Sequence, residues 1–246
     1  MRTEELRRQA ETMEAVGRLA GGVAHDLNNV LTAIFGYVDL LADQFGPEDP
    51  RRADVEEIRL AAERASALTR QLLALGRRQT LQPRVLNLNE LIAGLEQPLQ
   101  RLVGDGVRIT VRGAPDLWNA RVDPDLIEQV LTNLCANARD AMPDGGRIVI
   151  STVNRTVADD DATGHAGLAP GSYVVLSVED SGRGMPASVL RHVFEPFFTT
   201  KPRGKGTGLG LATVYGIVAQ SGGATHVESE EGKGTRVLVY LPGDVK

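Results

Sequence analysis

The chain has 246 residues, enough for two domains, and its 42% hydrophobic and 24% charged residues are typical of a globular protein. A formal net charge of −5 argues against nucleic acid as a partner, because nucleic-acid-binding proteins usually carry a concentrated basic face. Cys135 is the only cysteine, which excludes a disulfide framework or a zinc cluster within one chain and suits a reducing compartment. No apolar stretch approaches the ~18 residues needed to cross a bilayer, and the charged start is unlike a signal peptide. We therefore expect a cytoplasmic location, either for a free protein or for the cytoplasmic part of a longer, membrane-attached one.

The first forty residues show a heptad pattern. Apolar or small residues recur at alternating steps of three and four at Met13, Val16, Ala20, Val23, Leu27, Val30, Ile34, Tyr37 and Leu41. This spacing predicts a helix that ends near Ala42 and packs along one seam. If Ala20 and Leu27 are a positions and Val23 is a d position, His25 falls at f, farthest from the seam. A lone histidine on a helix can be plain surface, but this position presents it to a partner.

A second helix follows a turn at Gly46 to Pro50. Its apolar residues at helical spacing are Val55, Ile58, Ala62, Ala65, Leu68, Leu72 and Leu75, and it ends near Arg77. One hairpin cannot cover both apolar stripes, because the first helix is also apolar at Ala24, Leu31 and Val38. A four-helix bundle made by two chains is the natural solution. The alternative is a monomeric hairpin that folds onto the second domain of its own chain.

The pattern becomes mixed after Gln82-Pro83-Arg84, so we assign residues 1–80 to the helical domain, 81–88 to a linker and 89–246 to a second domain. Helices are predicted over 91–103, 123–142 and 209–221, the middle one with Asp123 as N-cap and Pro124 in its first turn. Strands are predicted around 107–111, 148–150 and 174–178, with a loop over 155–171 and a closing strand pair. These elements predict helices on a mixed sheet. Their order fits neither a Rossmann unit nor a P-loop, and there is no G-x-x-x-x-G-K-[ST].

Two asparagines, Asn133 and Asn137, are spaced by one turn on the predicted helix over 123–142, with Arg139 just beyond. Residues four apart share a helix face, so both amides can point into one pocket. The neighbouring leucines indicate a well-buried helix, where asparagines need partners. Amide oxygens suit Mg²⁺, which keeps several waters and bridges phosphates, and Asn137 is the candidate ligand.

Asp180 and the glycines that follow it form a second candidate element, D-S-G-R-G, directly after an apolar strand. A carboxylate at a strand end can accept a hydrogen bond from the amino group of adenine, and Gly182 and Gly184 let the backbone approach the base. Turns use the same residues, so this motif is weak when taken alone.

A glycine-rich segment from Gly204 to Leu211 is the third element, and it runs into a predicted helix. Free amides and the helix dipole at such a start favour a phosphate group. Between this segment and Asp180 lies F-E-P-F-F-T-T-K, which holds three of the five phenylalanines, Phe194 among them. It is either plain core or a hydrophobic anchor for a mobile lid over the nucleotide.

In this order, after an exposed helical histidine, these blocks resemble the sensor histidine kinases of two-component signalling, most closely the CckA-like hybrid kinases, in which a receiver domain follows. The resemblance covers nearly the whole chain, with an H-box at His25, an N-box at Asn133 to Asn137, a D-box at Asp180, an F-box at Phe194 to Phe198 and a G-box at Gly206 to Gly210. It implies a multidomain α and α+β protein. A helical hairpin forms a dimeric four-helix bundle, and an α/β sandwich of the Bergerat (GHKL) ATP-binding fold follows, as in gyrase and MutL.

The resemblance also implies ATP and Mg²⁺ as cofactors and the activity of a protein-histidine kinase. The second domain would deliver the γ-phosphoryl group to His25, and catalysis would consist of positioning and charge neutralisation. Asp26 would accept a hydrogen bond from the other imidazole nitrogen, and Asn29 matches the amide that orients water for the reverse, phosphatase reaction. The residues assigned to nucleotide binding are Asn133, Asn137 (also the Mg²⁺ ligand), Arg139, Asp180, Gly182, Gly184, Lys205, Gly206, Thr207, Gly208, Leu209 and Gly210. The partners implied are a second copy of the chain and a response regulator receiver domain or a histidine phosphotransfer relay.

Two other functions compete with this interpretation. A Bergerat-fold ATPase would place a glutamate base four residues before the magnesium asparagine, but that position is Asn133 here, and Glu128 faces elsewhere on the helix. A non-catalytic phosphotransfer scaffold would be expected to lack some of Asn137, Asp180 and the glycines, all of which are present.

Overall fold

The computed structural model describes residues 27, 30–42, 44–45, 49–76, 82–158, 168–202 and 206–244, with only the backbone given for residues 64 and 66–76. The chain divides into two compact units, Met1–Gln79 and Thr80–Lys246. Four residues predicted to take part in catalysis or nucleotide binding lie outside the described ranges, namely His25, Asp26, Asn29 and Lys205. Within those ranges, no helix is both long and apolar enough to span a membrane.

The first unit contains two helices, α1 over residues 30–42 and α2 over Arg51–Gly76. Asp49 begins α2: its carboxylate accepts a hydrogen bond from the backbone N–H of Arg51 (2.9 Å) and pairs with the Arg51 guanidinium (2.6 Å). That guanidinium also stacks 4.4 Å from the ring centre of Phe45. Asp49 therefore caps the start of α2, and a cation–π contact joins Arg51 to Phe45, whereas residues 46–48 of the predicted turn lie outside the described ranges.

The predicted seam of α1 is exposed in the single chain. Val30 and Tyr37 are 57% and 70% exposed, and Leu27 and Leu41 are also exposed. The buried apolar side chains of the described parts of these helices are instead Leu31, Val38, Val55 and Ala62. Leu31 and Val38 of α1 are seven residues apart, as are Val55 and Ala62 of α2, so the two residues of each pair lie on one face of their helix. The face of α1 that is buried within the chain thus differs from the predicted seam, whose four residues named above are exposed to water.

The second unit is a seven-stranded mixed sheet with helices. Its strands are β1 Arg84–Leu86, β2 Val107–Arg112, β3 Asn119–Val122, β4 Gly146–Val157, β5 Gly171–Asp180, β6 Ala224–Glu230 and β7 Gly234–Asp244. Its helices are α3 Leu88–Val103, α4 Pro124–Asp140, α5 Ala187–Leu190 and α6 Gly210–Gln220. The order is β1-β3-β7-β5-β4-β2, with β6 also on β7, and only the β2–β4 pair is parallel. The predicted α/β sandwich is confirmed.

The main core lies between the sheet and α3, α4 and α6. Ile92 of α3, Ile127 and Leu131 of α4 and Leu176 of β5 are completely buried in it. Alternate residues of β5 point the other way, and Tyr173 belongs to a small second cluster on the opposite face of the sheet. Because both faces of β5 are buried, its residues 173–176 are all apolar and do not alternate with polar ones.

The stretch predicted as a linker, 81–88, is part of the fold. Residues Arg84–Leu86 form β1, which pairs antiparallel with β3, and the N–H of Gln82 donates to Oδ2 of Asp123 (3.0 Å). Leu88 is fully buried at the start of α3. The linker prediction is wrong there because a three-residue strand carries no periodicity of its own. The strand β3 and the helix α5 were also not predicted, and β4 extends to Val157, into the predicted loop.

Candidate functional site

The helix α4 presents the two predicted asparagines. Asp123 caps it by accepting from the N–H of Asp125 (3.1 Å), and Pro124 fits the first turn, where a missing N–H costs nothing. A fully buried face, which includes Ile127 and Leu131, fixes the rotation of the helix. Asn133 and Asn137 are therefore left half-buried at the edge of the core.

Asn137 lies against the first residue of α6. A Cβ built on Gly210 would stand 3.2 Å from Nδ2 of Asn137 and 3.6 Å from Oδ1. The start of α6 has no side-chain cap. Leu209 holds the N-cap position with a buried side chain, and its N–H donates to Oγ1 of Thr207 (3.3 Å). Uncapped N–H groups and the positive end of the helix dipole can bind an anion there. Asn137 of the N-box thus lies beside the start of the helix that follows the G-box.

The glycines of the G-box also serve a second purpose that the sequence did not indicate. The N–H of Phe197 donates to the carbonyl oxygen of Gly208 (3.0 Å), and a Cβ on Gly208 would overlap the Phe197 backbone. A Cβ on Gly206 would stand 2.8 Å from Oγ1 of Thr199 and 2.9 Å from Cδ of Lys201. Gly206 and Gly208 therefore let the segment 197–201, which begins within the F-box, pack directly onto the G-box. Their contacts in this structure are with protein.

The F-box has one buried end and one exposed end. The ring of Phe194 lies 5.3 Å from that of Tyr215 on α6 and packs on the main core. Phe197 is 57% exposed and has φ of 67°, a left-handed conformation that is unfavourable for an aromatic residue. Phe194 is therefore partly buried against the core, whereas the hydrogen bond to Gly208 holds Phe197 in its conformation.

Asp180 is the last residue of β5, and one of its carboxylate oxygens accepts backbone hydrogen bonds. Its Oδ1 accepts from the N–H of Gly182 (2.8 Å) and of Thr235 (3.3 Å), and no hydrogen bond among the described residues uses Oδ2. Burial raises the pKa of Asp180, the two backbone hydrogen bonds lower it, and the charge of Glu179 adds to the rise. Oδ2 is thus available to accept a hydrogen bond from an amino group.

The loop after Asp180 is clamped on two sides. On one side, the N–H of Arg183 donates to the carbonyl oxygen of Ala141 (3.2 Å), and Gly182 packs so close to Ala141 that a Cβ would stand 2.8 Å from that oxygen. On the other, Gly184 has φ of 64°, and a Cβ there would overlap the carbonyl oxygen of Glu230. The N–H of Met185 donates to Oγ of Ser229 (2.9 Å). Both glycines are needed for this close packing.

At the end of α4, the partners of Arg139 and Asp140 differ from the prediction. The Arg139 guanidinium donates to Oδ1 of Asp140 (2.8 Å) and to the carbonyl oxygen of Leu102 on α3 (3.1 Å), so the structure gives it protein partners away from the two asparagines. Asp140, which the prediction missed, accepts from Nζ of Lys201 (2.5 Å). It follows Asn137 by three residues and shares its face, whereas Arg139 follows by two and does not. The three-residue spacing from Asn137 was the sequence signal that could have indicated Asp140.

The last turn of α4 is therefore the meeting point of three chain segments. Asn137 contacts the start of α6, Asp140 binds Lys201, and Ala141 holds the loop after Asp180. Among the described residues, no three His, Cys, Asp or Glu side chains group to hold a metal ion. The amide oxygen of Asn137, beside an anion-binding helix start, fits a hard cation that is held mainly by phosphates and water.

Comparison with known proteins defines the class of this fold. Residues 122–245 match the family described as "Histidine kinase-, DNA gyrase B-, and HSP90-like ATPase". Residues 15–81, which include His25, match the "His Kinase A (phospho-acceptor) domain". The chain belongs to the histidine kinase family and has the core domains of a CckA-like kinase. The resemblance predicted from the motifs is confirmed.

Three relatives illustrate the match. The chain is 50% identical over 234 residues to "Sensor kinase CckA" of Brucella abortus (strain 2308), covering 95% of this chain and 25% of that protein, so it spans about a quarter of that relative's length. The structure of full-length ShkA in complex with AMPPNP aligns with a TM-score of 0.73 at 20% identity, over 94% of this chain and 46% of that one. Histidine kinase ThkA in complex with response regulator protein TrrA aligns with a TM-score of 0.58 at 23% identity, over 98% and 66%. At these identities the two structures establish the fold.

Proposed function

We propose that this chain is the catalytic core of a two-component sensor histidine kinase. It transfers the γ-phosphoryl group of ATP to His25 and then to an aspartate of a response regulator. One observation carries the proposal. The last turn of α4 joins Asn137, the uncapped start of α6 and the loop after Asp180, in a chain whose first domain matches the phospho-acceptor family at His25.

Each part of ATP has a partner of suitable chemistry. The free Oδ2 of Asp180 accepts a hydrogen bond from the adenine amino group, and Gly182 and Gly184 hold the loop beside this carboxylate against Ala141 and Glu230. The N–H groups at the start of α6 and the Asn137 amide face the phosphates, with Asn133 one turn earlier on the same side. Asn137 would hold Mg²⁺, which when bound supplies neutralisation of the phosphate charge.

His25 is the nucleophile of the proposed transfer. One imidazole nitrogen attacks the γ-phosphorus, the bond to the β–γ bridging oxygen breaks, and ADP leaves with that oxygen. Asp26 binds the N–H on the other ring nitrogen and so keeps a lone pair on the attacking one. An aspartate of the regulator then takes the phosphoryl group from His25. Asn29 orients a water molecule for the reverse, phosphatase reaction.

The exposed seam of α1 in the first unit indicates a second copy of the chain as a partner. In a single chain Val30 and Tyr37 would stay in water, and a second copy that packs on the same seam would bury them. We therefore propose a homodimer with residues 1–80 as the dimerisation and phosphotransfer domain. A response regulator receiver domain or a histidine phosphotransfer relay completes the reaction. ATP is a cytoplasmic substrate, so the predicted cytoplasmic location is part of this proposal.

A hydrolysing ATPase is less well supported. Asn133 stands where such enzymes carry their glutamate base, and an amide cannot take a proton from water at neutral pH. An intact site with a histidine acceptor favours transfer over hydrolysis.

Incubation with γ-labelled ATP tests the proposal. The unmodified chain should take up label that is acid-labile and stable in base, the behaviour of phosphohistidine. His25→Ala should take up none and still bind ATP within a few fold. His192→Ala is the matched control, because His192 is an exposed histidine that pairs with Glu195 (2.8 Å), and it should be labelled normally. Base-stable label in His25→Ala would contradict the assignment.

A further inference from the structure

Lys201 belongs to none of the predicted nucleotide blocks, and its side chain is directed back to α4. Its Nζ lies 2.5 Å from Oδ2 of Asp140, and the two side chains are 26% and 30% exposed. Sixty-one positions separate the two residues in the chain. The bond therefore joins two distant parts of the fold and is more than a local surface pair.

The carboxylate of Asp140 is held on both sides. Arg139 donates to its Oδ1 and is itself fixed to α3 through the carbonyl oxygen of Leu102 (3.1 Å). Partial burial raises the pKa of Asp140, but the hydrogen bonds from Lys201 and Arg139 outweigh this effect, and the pKa is lowered. Asp140 is therefore a fixed anion at neutral pH, which Lys201 can use as an anchor.

The anchored segment forms one side of the G-box. The stem of Lys201 and the hydroxyl of Thr199 fill the space left by Gly206, and the backbone of Phe197 fills that left by Gly208. The segment 197–201 thus supports the chain that leads into α6, whose first residue meets Asn137. A change in the position of this segment would therefore act on the proposed phosphate end of the site.

We propose that Asp140 and Lys201 are positioning residues of the nucleotide site. Their ion pair holds the segment 197–201 against the G-box, so that the start of α6 stays aligned with Asn137 when phosphate arrives. This inference rests on the proposed function, since it assigns a role at the phosphate end of the same site. It assigns Asp140 no contact with ATP.

A double-mutant cycle tests the pair. Asp140→Asn and Lys201→Met keep the size of each side chain and remove its charge. Each should weaken ATP binding about three- to tenfold, the effect expected for a partly buried charged hydrogen bond. The double variant should be no weaker than either single one, because the same bond is lost only once. Adenosine, which has no phosphates, should bind all variants equally. A general loss of structure would instead weaken ATP and adenosine binding together.

Lys233→Met is the matched control. Lys233 also pairs with a carboxylate (Glu230, 2.7 Å), but both side chains are more than half exposed, and ATP binding should not change. The inference is overturned if Asp140→Asn leaves ATP binding unchanged or tightens it, as expected if Asp140 merely withholds Lys201 from phosphate. It is also overturned if the losses multiply in the double variant, or if adenosine binding falls with ATP binding. If the unmodified chain binds no ATP, the proposed function itself is wrong and the inference falls with it.

Discussion

Asn137 on α4 and Gly210 at the start of α6 lie so close that a Cβ on Gly210 would stand 3.2 Å from the Asn137 amide nitrogen. At this distance a side chain at position 210 would crowd the Asn137 amide, so glycine suits the position. The amide and the helix start therefore meet without an intervening side chain. Asn137 would hold a hard cation through its amide oxygen, and the N–H groups at the start of α6 would hold a phosphate beside it.

Asn137→Ala should abolish the Mg²⁺-dependent part of ATP binding, because no other side chain in the described part of α4 replaces its amide oxygen on that turn. Losing a hydrogen-bonding group to a charged partner costs about 1.5–3 kcal/mol, roughly ten- to a hundredfold in affinity. ATP titrations with and without Mg²⁺ measure the effect, with adenosine as the internal control. Equal Mg²⁺ dependence in both proteins would remove Asn137 from the site.

Asp180→Asn should weaken ATP and adenosine by the same factor, about ten- to a hundredfold for a charged acceptor. The common factor is expected because Asp180 would contact only the base. A loss confined to ATP would place Asp180 at the phosphates instead.

The same carboxylate predicts a pH dependence. Because the pKa of Asp180 is raised, its charged form is lost at a higher pH than usual as the pH falls. Adenosine affinity should therefore decline on acidification before ordinary aspartates titrate, and Asp180→Asn should show no such decline. Calorimetric titrations from neutral pH to the acid limit of stability would measure it.

Asp140 predicts a pH dependence of stability that sets in at a lower pH, because its pKa is lowered and not raised. Its pKa in the folded chain lies below the ordinary aspartate value of 3.8, so its stabilising effect is present above that value and disappears as the pH falls through the lowered pKa. Asp140→Asn should lower the Tm at pH 7, and the difference from the unmodified chain should shrink below about pH 3.8. A Tm difference that is independent of pH would mean that the charge of Asp140 does not stabilise the fold.

The main elements of the second domain could be predicted from local signals. Asp123 and Pro124 mark the start of α4, and the four-residue step from Asn133 to Asn137 fixes their common face. The strand β1 was missed because three residues show no period, and its stability comes from its pairing with β3.

Long-range contacts limited the prediction of the site. Gly206 and Gly208 were predicted as nucleotide-binding residues, but their close contacts with segment 197–201 depend on how two loops meet. The bond between Asp140 and Lys201 joins residues too far apart in sequence for spacing to reveal it. Arg139 was grouped with Asn137 by proximity in sequence alone, although a two-residue step turns a helical side chain to another face.

The exposed seam of α1 predicts the oligomeric state. Val30→Glu should give monomers, because a dimer would bury an unpaired charge, and light scattering at micromolar concentration would show it. Leu40→Glu is the matched control: Leu40 is similarly exposed (60%, against 57% for Val30) but lies off the seam, so it should remain dimeric. A monomeric unmodified chain would contradict the proposed bundle.

Asn29 should separate the two proposed activities. It follows His25 by four residues, one turn along the same helical face, so its amide can reach chemistry at the imidazole without contact to ATP. An amide is no base at neutral pH, but it can orient a water molecule toward an acyl phosphate on a docked regulator. Asn29→Ala should therefore leave autophosphorylation of His25 intact and slow dephosphorylation of the regulator by at least several fold. Equal dephosphorylation rates would make Asn29 an ordinary polar residue, whereas loss of autophosphorylation would mean that it shapes the histidine site.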